Sequence, residues 1–136
     1  DLRRKRPMYE FKEEFLTGIE MIDREHKRLF EIAENLYQLK CREYVTDKYD
    51  HIREILTELR DYTMTHFEHE EAYMKSISYK RMFSQLSQHD ALRETISGWD
   101  LDAIDEDQDE AIGDMLNLIT DWLVNHILNE DKRIGK

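Results

Sequence analysis

The sequence predicts an all-α protein, an up-down-up-down antiparallel four-helix bundle. The chain has 136 residues, of which 38% are charged and only four are glycine and one proline, a composition that favours long helices and short loops. Apolar residues recur at three- or four-residue steps in four segments, which is typical of helices with one buried face. Short connections between the segments favour antiparallel packing of neighbours in the chain.

The first predicted helix covers about residues 19–40, with His26 inside its apolar stripe. The second covers about residues 46–76 and places His66 and Glu70 one turn apart on its inward face.

The third predicted helix covers about residues 80–98, carries His89 on its apolar stripe and stops at Gly98. The fourth covers about residues 107–130 after an acidic stretch that suits a helix N-terminus, and it turns His126 inward.

Charge and cysteine content limit the function classes. The net charge of -11 argues against nucleic-acid binding, which depends on clustered lysine and arginine. Cys41 is the single cysteine and can form no internal disulfide, so we expect a reducing compartment and a cytoplasmic protein. The sequence has no run of 18 apolar residues, so we expect no membrane insertion by this domain.

The first residues differ in charge from the rest. Residues 1–7 hold four of the 20 basic residues and one of the 31 acidic ones, and the chain does not begin with Met. We interpret residues 1–16 as a basic linker or docking segment and residues 17–136 as the bundle domain. A basic segment beside a membrane helix would look similar, but a solvated tail explains it more simply.

Four histidines on inward faces, with carboxylates nearby, indicate a buried metal site. Antiparallel order brings His26, His66, His89 and His126 toward one end of the bundle, where Glu70 and Asp131 can join them. A charged carboxylate in a dry core is costly unless it is paired or bound to a cation. Imidazoles with carboxylates suit iron, manganese or zinc.

Other polar and apolar residues have simpler explanations. A lone inward histidine is more often a hydrogen-bonded core residue, but four with two carboxylates reverse that expectation. His51 lies off the apolar stripe and should be solvated, whereas His69 is ambiguous because it lies one turn from His66. An apolar ligand pocket beside His126 could be lined by Trp122, Leu123, Ile127 and Leu128, although these residues could equally be core.

The chain resembles the bacteriohemerythrin family over about residues 17–132. The matching segments are GIEMIDREHKRLF, with D-x-x-H at Asp23 and His26; HFEHEEAYM, with H-x-x-x-E at His66 and Glu70; and WLVNHILNED, with H-x-x-x-x-D at His126 and Asp131. The resemblance implies two iron ions in a non-haem centre, oxo- or hydroxo-bridged when oxidised. His26 and His66 would hold one iron, His89 and His126 the other, and Glu70 and Asp131 would bridge them.

One position departs from the family pattern. The third helix of the family carries H-x-x-x-H, and here the corresponding residues are Gln85 and His89. Gln85 could coordinate weakly through its amide oxygen, hydrogen-bond to a metal-bound water, or stand clear. The hypothesis is that two irons still assemble and still react with dioxygen, with a shorter-lived oxygenated form or with water or small anions at both metals.

Three function classes remain. The first is a domain that binds dioxygen, as an oxygen or redox sensor attached to an output domain of a longer signalling protein, or as a stand-alone storage or transport protein. The second is a di-iron enzyme that reduces peroxide, dioxygen or nitric oxide. The third is a structural or zinc-bound bundle. Because no acid, base or nucleophile stands out beyond the metal ligands, a binding domain is favoured over an enzyme.

Overall fold

The computed structural model describes residues 8–42, 46–105 and 108–136 and confirms the all-α four-helix bundle. The helices are α1 (Glu20–Lys40), α2 (Lys48–Ser76), α3 (Met82–Ser97) and α4 (Asp109–His126). Each helix begins within two residues of its predicted start. No helix among these residues is long and apolar enough to cross a membrane.

The fourth helix differs from the prediction at its end. Its regular α-helical part stops at His126, five residues of π-helix follow at Ile127–Asp131, and a short helix α5 (Lys132–Ile134) completes the described chain. Apolar periodicity cannot reveal this change, because a single wide turn leaves the stripe before it intact.

Two apolar clusters lie along the bundle. The larger contains Leu29 of α1 and Leu59 of α2, and the smaller contains Ile22 of α1 and Met74 of α2 with Ile134 of α5. Along α1, His26 lies between Ile22 and Leu29, and along α2, His66 lies between Leu59 and Met74. A polar layer therefore interrupts the core near one end of the bundle.

The described part of the predicted linker is packed against the bundle. Residues 1–7 lie outside the described residues, but Phe15 is buried, and Tyr9 and Phe11 pack against the main apolar cluster. The Tyr9 hydroxyl donates to Asn117 Oδ1 of α4 at 2.6 Å, and the Tyr9 backbone N–H donates to Glu34 Oε1 of α1 at 2.9 Å. Residues 9–15 thus join α1 to α4 and are not a solvated tail.

Gly135 is the position where added volume should be costly. A Cβ at Gly135 would lie 1.9 Å from the backbone oxygen of Thr17, and backbone cannot move aside as a flexible side chain can. We expect Gly135→Ala to lower the free energy of unfolding by about 1–3 kcal/mol, measured by urea denaturation. The matched control is Gly98→Ala, whose Cβ would meet only ordinary contacts, the nearest at 3.6 Å. Equal stability of the two variants would contradict the close approach.

Candidate metal centre

The structure brings the six predicted ligands together in two groups that share their carboxylates. The first group is His26, His66, Glu70 and Asp131, and the second is Glu70, His89, His126 and Asp131; within each group the potential ligand atoms lie within 4.8 Å of one another. All six residues are buried. They come from α1, α2, α3, the end of α4 and the π turn.

Glu70 lies between the two pairs of histidines. Its Oε2 is 3.2 Å from His66 Nε2 and 3.6 Å from His26 Nε2, while its Oε1 is 3.1 Å from His89 Nε2. Each carboxylate oxygen therefore faces a different group, which is the arrangement that a bridging ligand needs.

Asp131 reaches the same place because of the π turn. In a regular α-helix a residue five positions later lies about 140° around the axis, so Asp131 would face away from His126. The wider π turn at Ile127–Asp131 brings positions five apart onto nearly the same face. As a result Asp131 Oδ1 lies 3.1 Å from His126 Nε2 and Oδ2 lies 3.2 Å from His26 Nε2.

Several atoms at the centre of this cluster are buried without a hydrogen-bond partner. They are both ring nitrogens of His26, Nε2 of His66 and both carboxylate oxygens of Glu70. The N···O distances given above are short, but the pairs are not aligned as hydrogen bonds. Buried polar atoms are rarely left unsatisfied, and atoms that converge in this way fit the donor set of a metal ion.

Three of the four imidazole rings are held in place by a residue that contacts Nδ1. Glu25 Oε1 lies 2.8 Å from His66 Nδ1, Glu71 Oε2 lies 2.7 Å from His89 Nδ1, and Gln88 Oε1 lies 2.8 Å from His126 Nδ1. Such contacts fix the tautomer and turn Nε2 toward the metal.

Sequence reasoning did not identify these supports. Glu25 and Glu71 each adjoin a predicted ligand in the sequence, His26 and Glu70 respectively. This adjacency was the available signal for these two residues, whereas no local pattern indicated that Gln88 would contact His126. The carboxylate of Glu71 is itself held by Arg93, with N···O distances of 2.8 and 2.9 Å.

The electrostatics of the metal-free cluster favour protonated histidine beside ionised carboxylate. Burial opposes a charge on His66, but the carboxylate charge of Glu70 and the hydrogen bond to Glu25 outweigh it and raise the pKa of His66 to about 10. Burial likewise opposes ionisation of Glu70, yet His66 and the neighbouring imidazoles hold the pKa of Glu70 well below its usual range. In the metal-free chain, protons supply the positive charge that a metal would supply.

Metal binding should therefore release protons and strengthen with pH. Ligating imidazoles must be neutral, and the raised pKa keeps His66 protonated at neutral pH. We expect the affinity of the metal-free chain for Co²⁺ to rise about tenfold per pH unit between pH 6 and 8 for each proton displaced. Chelator competition measures the affinity, and calorimetry in buffers of different ionisation enthalpy counts the protons. An affinity that does not change over this range would contradict the prediction.

Asp23 of the D-x-x-H motif has a structural role. Its Oδ1 accepts hydrogen bonds from the backbone N–H and the hydroxyl of Thr17, both at 2.8 Å, and its Oδ2 accepts one from the Gly18 N–H at 3.1 Å. Gly18 has φ of +88°, which glycine adopts without strain. Asp23 thus fixes the loop that starts α1 and sets the position of His26 three residues later.

Aromatic and aliphatic side chains flank the second group. Trp122 stacks on His126 with ring centroids 4.3 Å apart, and Leu123 and Ile127 are buried. That these three residues line a ligand pocket stays a prediction. Phe67, which sequence reasoning did not single out, stacks on His89 at 4.0 Å.

Leu128, the fourth residue expected to line the pocket, lies nearer the surface. Its side chain is 38% exposed, because Ile127 takes the inward position and the next residue of the turn projects toward the surface. His51 is exposed, as expected, and His69 is not in either group: its ring is 52% exposed, and its Nδ1 lies 2.6 Å from Glu25 Oε2.

Gln85 does not stand clear of the cluster. The residue is fully buried, its Oε1 lies 2.6 Å from His126 Nε2, and its Nε2 donates to Asp131 Oδ1 at 3.0 Å. It occupies the place on α3 one turn before His89, where the family pattern has a histidine.

Four helices that surround a buried cluster of histidines and carboxylates define a metal-binding helical bundle. The chain belongs to the hemerythrin family: the family model described as the hemerythrin HHE cation binding domain matches residues 17–136. The resemblance seen in the sequence is confirmed.

Relatives of known family agree with this membership. The chain is 42% identical to a bacteriohemerythrin of Clostridium acetobutylicum over 125 residues, which cover 92% of this chain and 97% of the relative. It is 32% identical to a bacteriohemerythrin of Pseudomonas aeruginosa over 117 residues, or 85% and 71% of the two chains. A myohemerythrin of Theromyzon tessulatum is 29% identical over 90% of this chain and 88% of its own length.

Hemerythrin domains bind a di-iron centre, and the two groups of this chain fit that cofactor. Each group offers two imidazole nitrogens, and the two carboxylates are positioned between the groups.

Proposed function

We propose that this chain binds two iron ions and, through them, dioxygen. His26 and His66 would hold one iron, His89 and His126 would hold the other, and Glu70 and Asp131 would supply the carboxylates shared by the two groups. The sharing of both carboxylates by the two groups is the observation that supports this proposal most strongly. A di-iron centre supplies an electron-rich metal pair to which dioxygen or a small anion can bind.

The residues of the chain prepare the site for such a ligand. Glu25, Glu71 and Gln88 orient three imidazoles, which limits the reorganisation that metal or ligand binding requires. Phe67 and Trp122 cover two of the rings and restrict water around the second group.

Iron content and absorption spectra test this function. The measurement is iron per chain, together with the spectrum of the anaerobically reduced protein before and after air is added. Two irons and a reversible absorption band of the oxygenated form are expected. One iron, or immediate irreversible oxidation without that band, would contradict reversible dioxygen binding and favour redox sensing or catalysis.

We further propose that the domain works as an oxygen or redox sensor. The segment of residues 9–15 is bonded to the elements that carry the second group: Tyr9 donates to Asn117 of α4, and Lys132 Nζ, next to Asp131, donates to the Glu14 backbone oxygen at 2.8 Å. Movement of α4 or the π turn would therefore reach this segment, which leads to the basic residues 1–7. An attached output domain and a cytoplasmic location stay predictions.

Hydrogen exchange separates sensing from storage. A sensor should change the exchange rates of the backbone amides of residues 9–15 between the reduced and the oxygenated states. Storage or transport requires no such change. Amides in the main core around Leu56, which is fully buried, serve as the reference.

A polar cavity favours one alternative, a di-iron enzyme that reduces peroxide, dioxygen or nitric oxide. The cavity has a volume of about 350 Å³ and is lined by Gln88, Trp122, Asn125, His126, Asn129 and Glu130. Amide and carboxylate groups in this lining suit small polar molecules more than dioxygen. Steady-state turnover with an electron donor would identify an enzyme, and its absence with tight dioxygen binding would exclude it.

A further inference from the structure

We infer that Gln85 is a ligand of the second iron and binds it through its amide oxygen, in place of the third histidine. This inference rests on the proposed di-iron function and adds a fifth donor to the second group. It is carried by the hydrogen bonds around Gln85, His126 and His89, which determine which atoms point into the cluster.

The orientation of the Gln85 amide follows from its neighbour Asp131. An ionised carboxylate can only accept hydrogen bonds, so the group 3.0 Å from Asp131 Oδ1 must be the NH₂ of Gln85. The amide oxygen then faces His126 Nε2, at 2.6 Å. Gln85 has no exposed surface, so water cannot compensate this oxygen from the bulk.

The tautomer of His126 follows from Gln88 in the same way. Gln88 Nε2 donates to Glu130 Oε1 at 3.1 Å, which leaves Gln88 Oε1 to accept from His126 Nδ1 at 2.8 Å. A neutral imidazole that donates from Nδ1 has a lone pair at Nε2. This Nε2 is the atom that a metal ion would bind, and it lies 2.6 Å from Gln85 Oε1, so the two atoms are directed at the same place.

His89 turns its Nε2 toward the same place. Its Nδ1 donates to Glu71 at 2.7 Å, and its Nε2 lies 3.2 Å from His126 Nε2. The nearest carboxylate oxygens are Glu70 Oε1, 3.1 Å from His89 Nε2, and Asp131 Oδ1, 3.1 Å from His126 Nε2. Five potential ligand atoms thus converge at the second group, and one of them, Asp131 Oδ1, also accepts the hydrogen bond from Gln85.

A metal ion can bind all five atoms. A proton on His126 Nε2 can donate to the buried oxygen of Gln85, but an imidazole nitrogen that binds a metal carries no proton. With the metal bound, the ion itself becomes the partner of this oxygen. An amide oxygen is a hard donor that iron accepts, although it is weaker than imidazole. The second site is then completed by Gln85 and not left with an additional open position.

Substitutions at Gln85 separate the ligand role from a positioning role. Gln85→Glu keeps an oxygen donor but loses the N–H that holds Asp131, and Gln85→Leu loses both. If Gln85 is a ligand, Gln85→Glu retains both ions and Gln85→Leu weakens the second ion at least about tenfold. If Gln85 only holds Asp131, both variants weaken that ion, because two carboxylates would repel each other in Gln85→Glu.

The experiment is a titration of the metal-free full chain with Co²⁺, followed by absorption and chelator competition. A His126→Ala variant identifies which step of the titration belongs to the second group, and Gln38→Leu, at an exposed position of α1, is the control. The visible Co²⁺ bands report coordination number, so loss of the Gln85 oxygen should raise their intensity in Gln85→Leu. Circular dichroism shows that each variant is folded.

The outcomes are distinct. Retention of both ions in Gln85→Glu with weakening in Gln85→Leu supports the inference. Equal weakening in both variants overturns it, as does an unchanged second ion in Gln85→Leu. Uptake of only one ion by the parent chain also overturns the inference about Gln85, but it is compatible with metal binding by the first group. Uptake of no ion overturns the proposed function itself.

Discussion

The substitution Glu70→Gln should reduce the iron content from two ions per chain to one or fewer. The two oxygens of Glu70 face different groups, with Oε2 near His66 and Oε1 near His89. A carboxamide has one oxygen and one NH₂ group, so it cannot bridge, and its N–H donors would point at the lone pairs of one pair of histidines. Iron analysis of Glu70→Gln after anaerobic reconstitution measures the loss.

The matched control for this variant is Glu68→Gln. Glu68 lies on the same helix two residues earlier and is exposed, so the same change of charge there should leave two ions bound. Retention of two irons in Glu70→Gln would show that the carboxylate does not bridge the pair. Circular dichroism of both variants excludes a general loss of the fold.

Gln85→His should lengthen the lifetime of the oxygenated form. We expect a change of about tenfold, the size of effect that substitutions around a metal site have on metal affinity or activity. The introduced imidazole is a stronger donor than the amide oxygen, and it restores the H-x-x-x-H pattern of the third helix. The decay of the absorption band after air reaches the reduced protein measures this lifetime. The second iron should also bind more tightly in this variant.

Gln38→His is the control for an added histidine, because Gln38 is exposed on α1. It should leave both the lifetime and the iron content unchanged. Equal lifetimes for Gln85→His and the parent chain would count against the idea that the glutamine limits the oxygenated form. The iron content of Gln85→His must be two per chain for the comparison to hold.

The local sequence was sufficient to place the helices and the six candidate ligands. His26, His66, His89 and His126 follow apolar stripes whose period is a property of the helix, and the first motif also identified Asp23 beside them. Asp131 was identified by its place five residues after His126, although that spacing does not fit a regular helix, and the H-x-x-x-x-D motif supported it. Their roles as iron ligands stay predictions, although the structure brings all six together.

The sequence did not show which residues support these ligands. Glu25 and Gln88 contact histidines that are 41 and 38 residues away in the chain, and no local pattern encodes such a pairing. For the same reason the sequence did not show that residues 9–15, which belong to the predicted linker or docking segment, pack against the bundle. Their aromatic side chains pack on helices far along the sequence.

The sequence by itself determined the fold class, the family and the set of side chains that could bind metal, because these depend on periodicity and short motifs. Only the tertiary structure decided the geometry of the centre. The π turn aims Asp131 inward, and the bonds of Gln85 to Asp131 and His126 orient its amide. Distance and direction between elements arise from packing of the whole bundle, which no segment specifies alone.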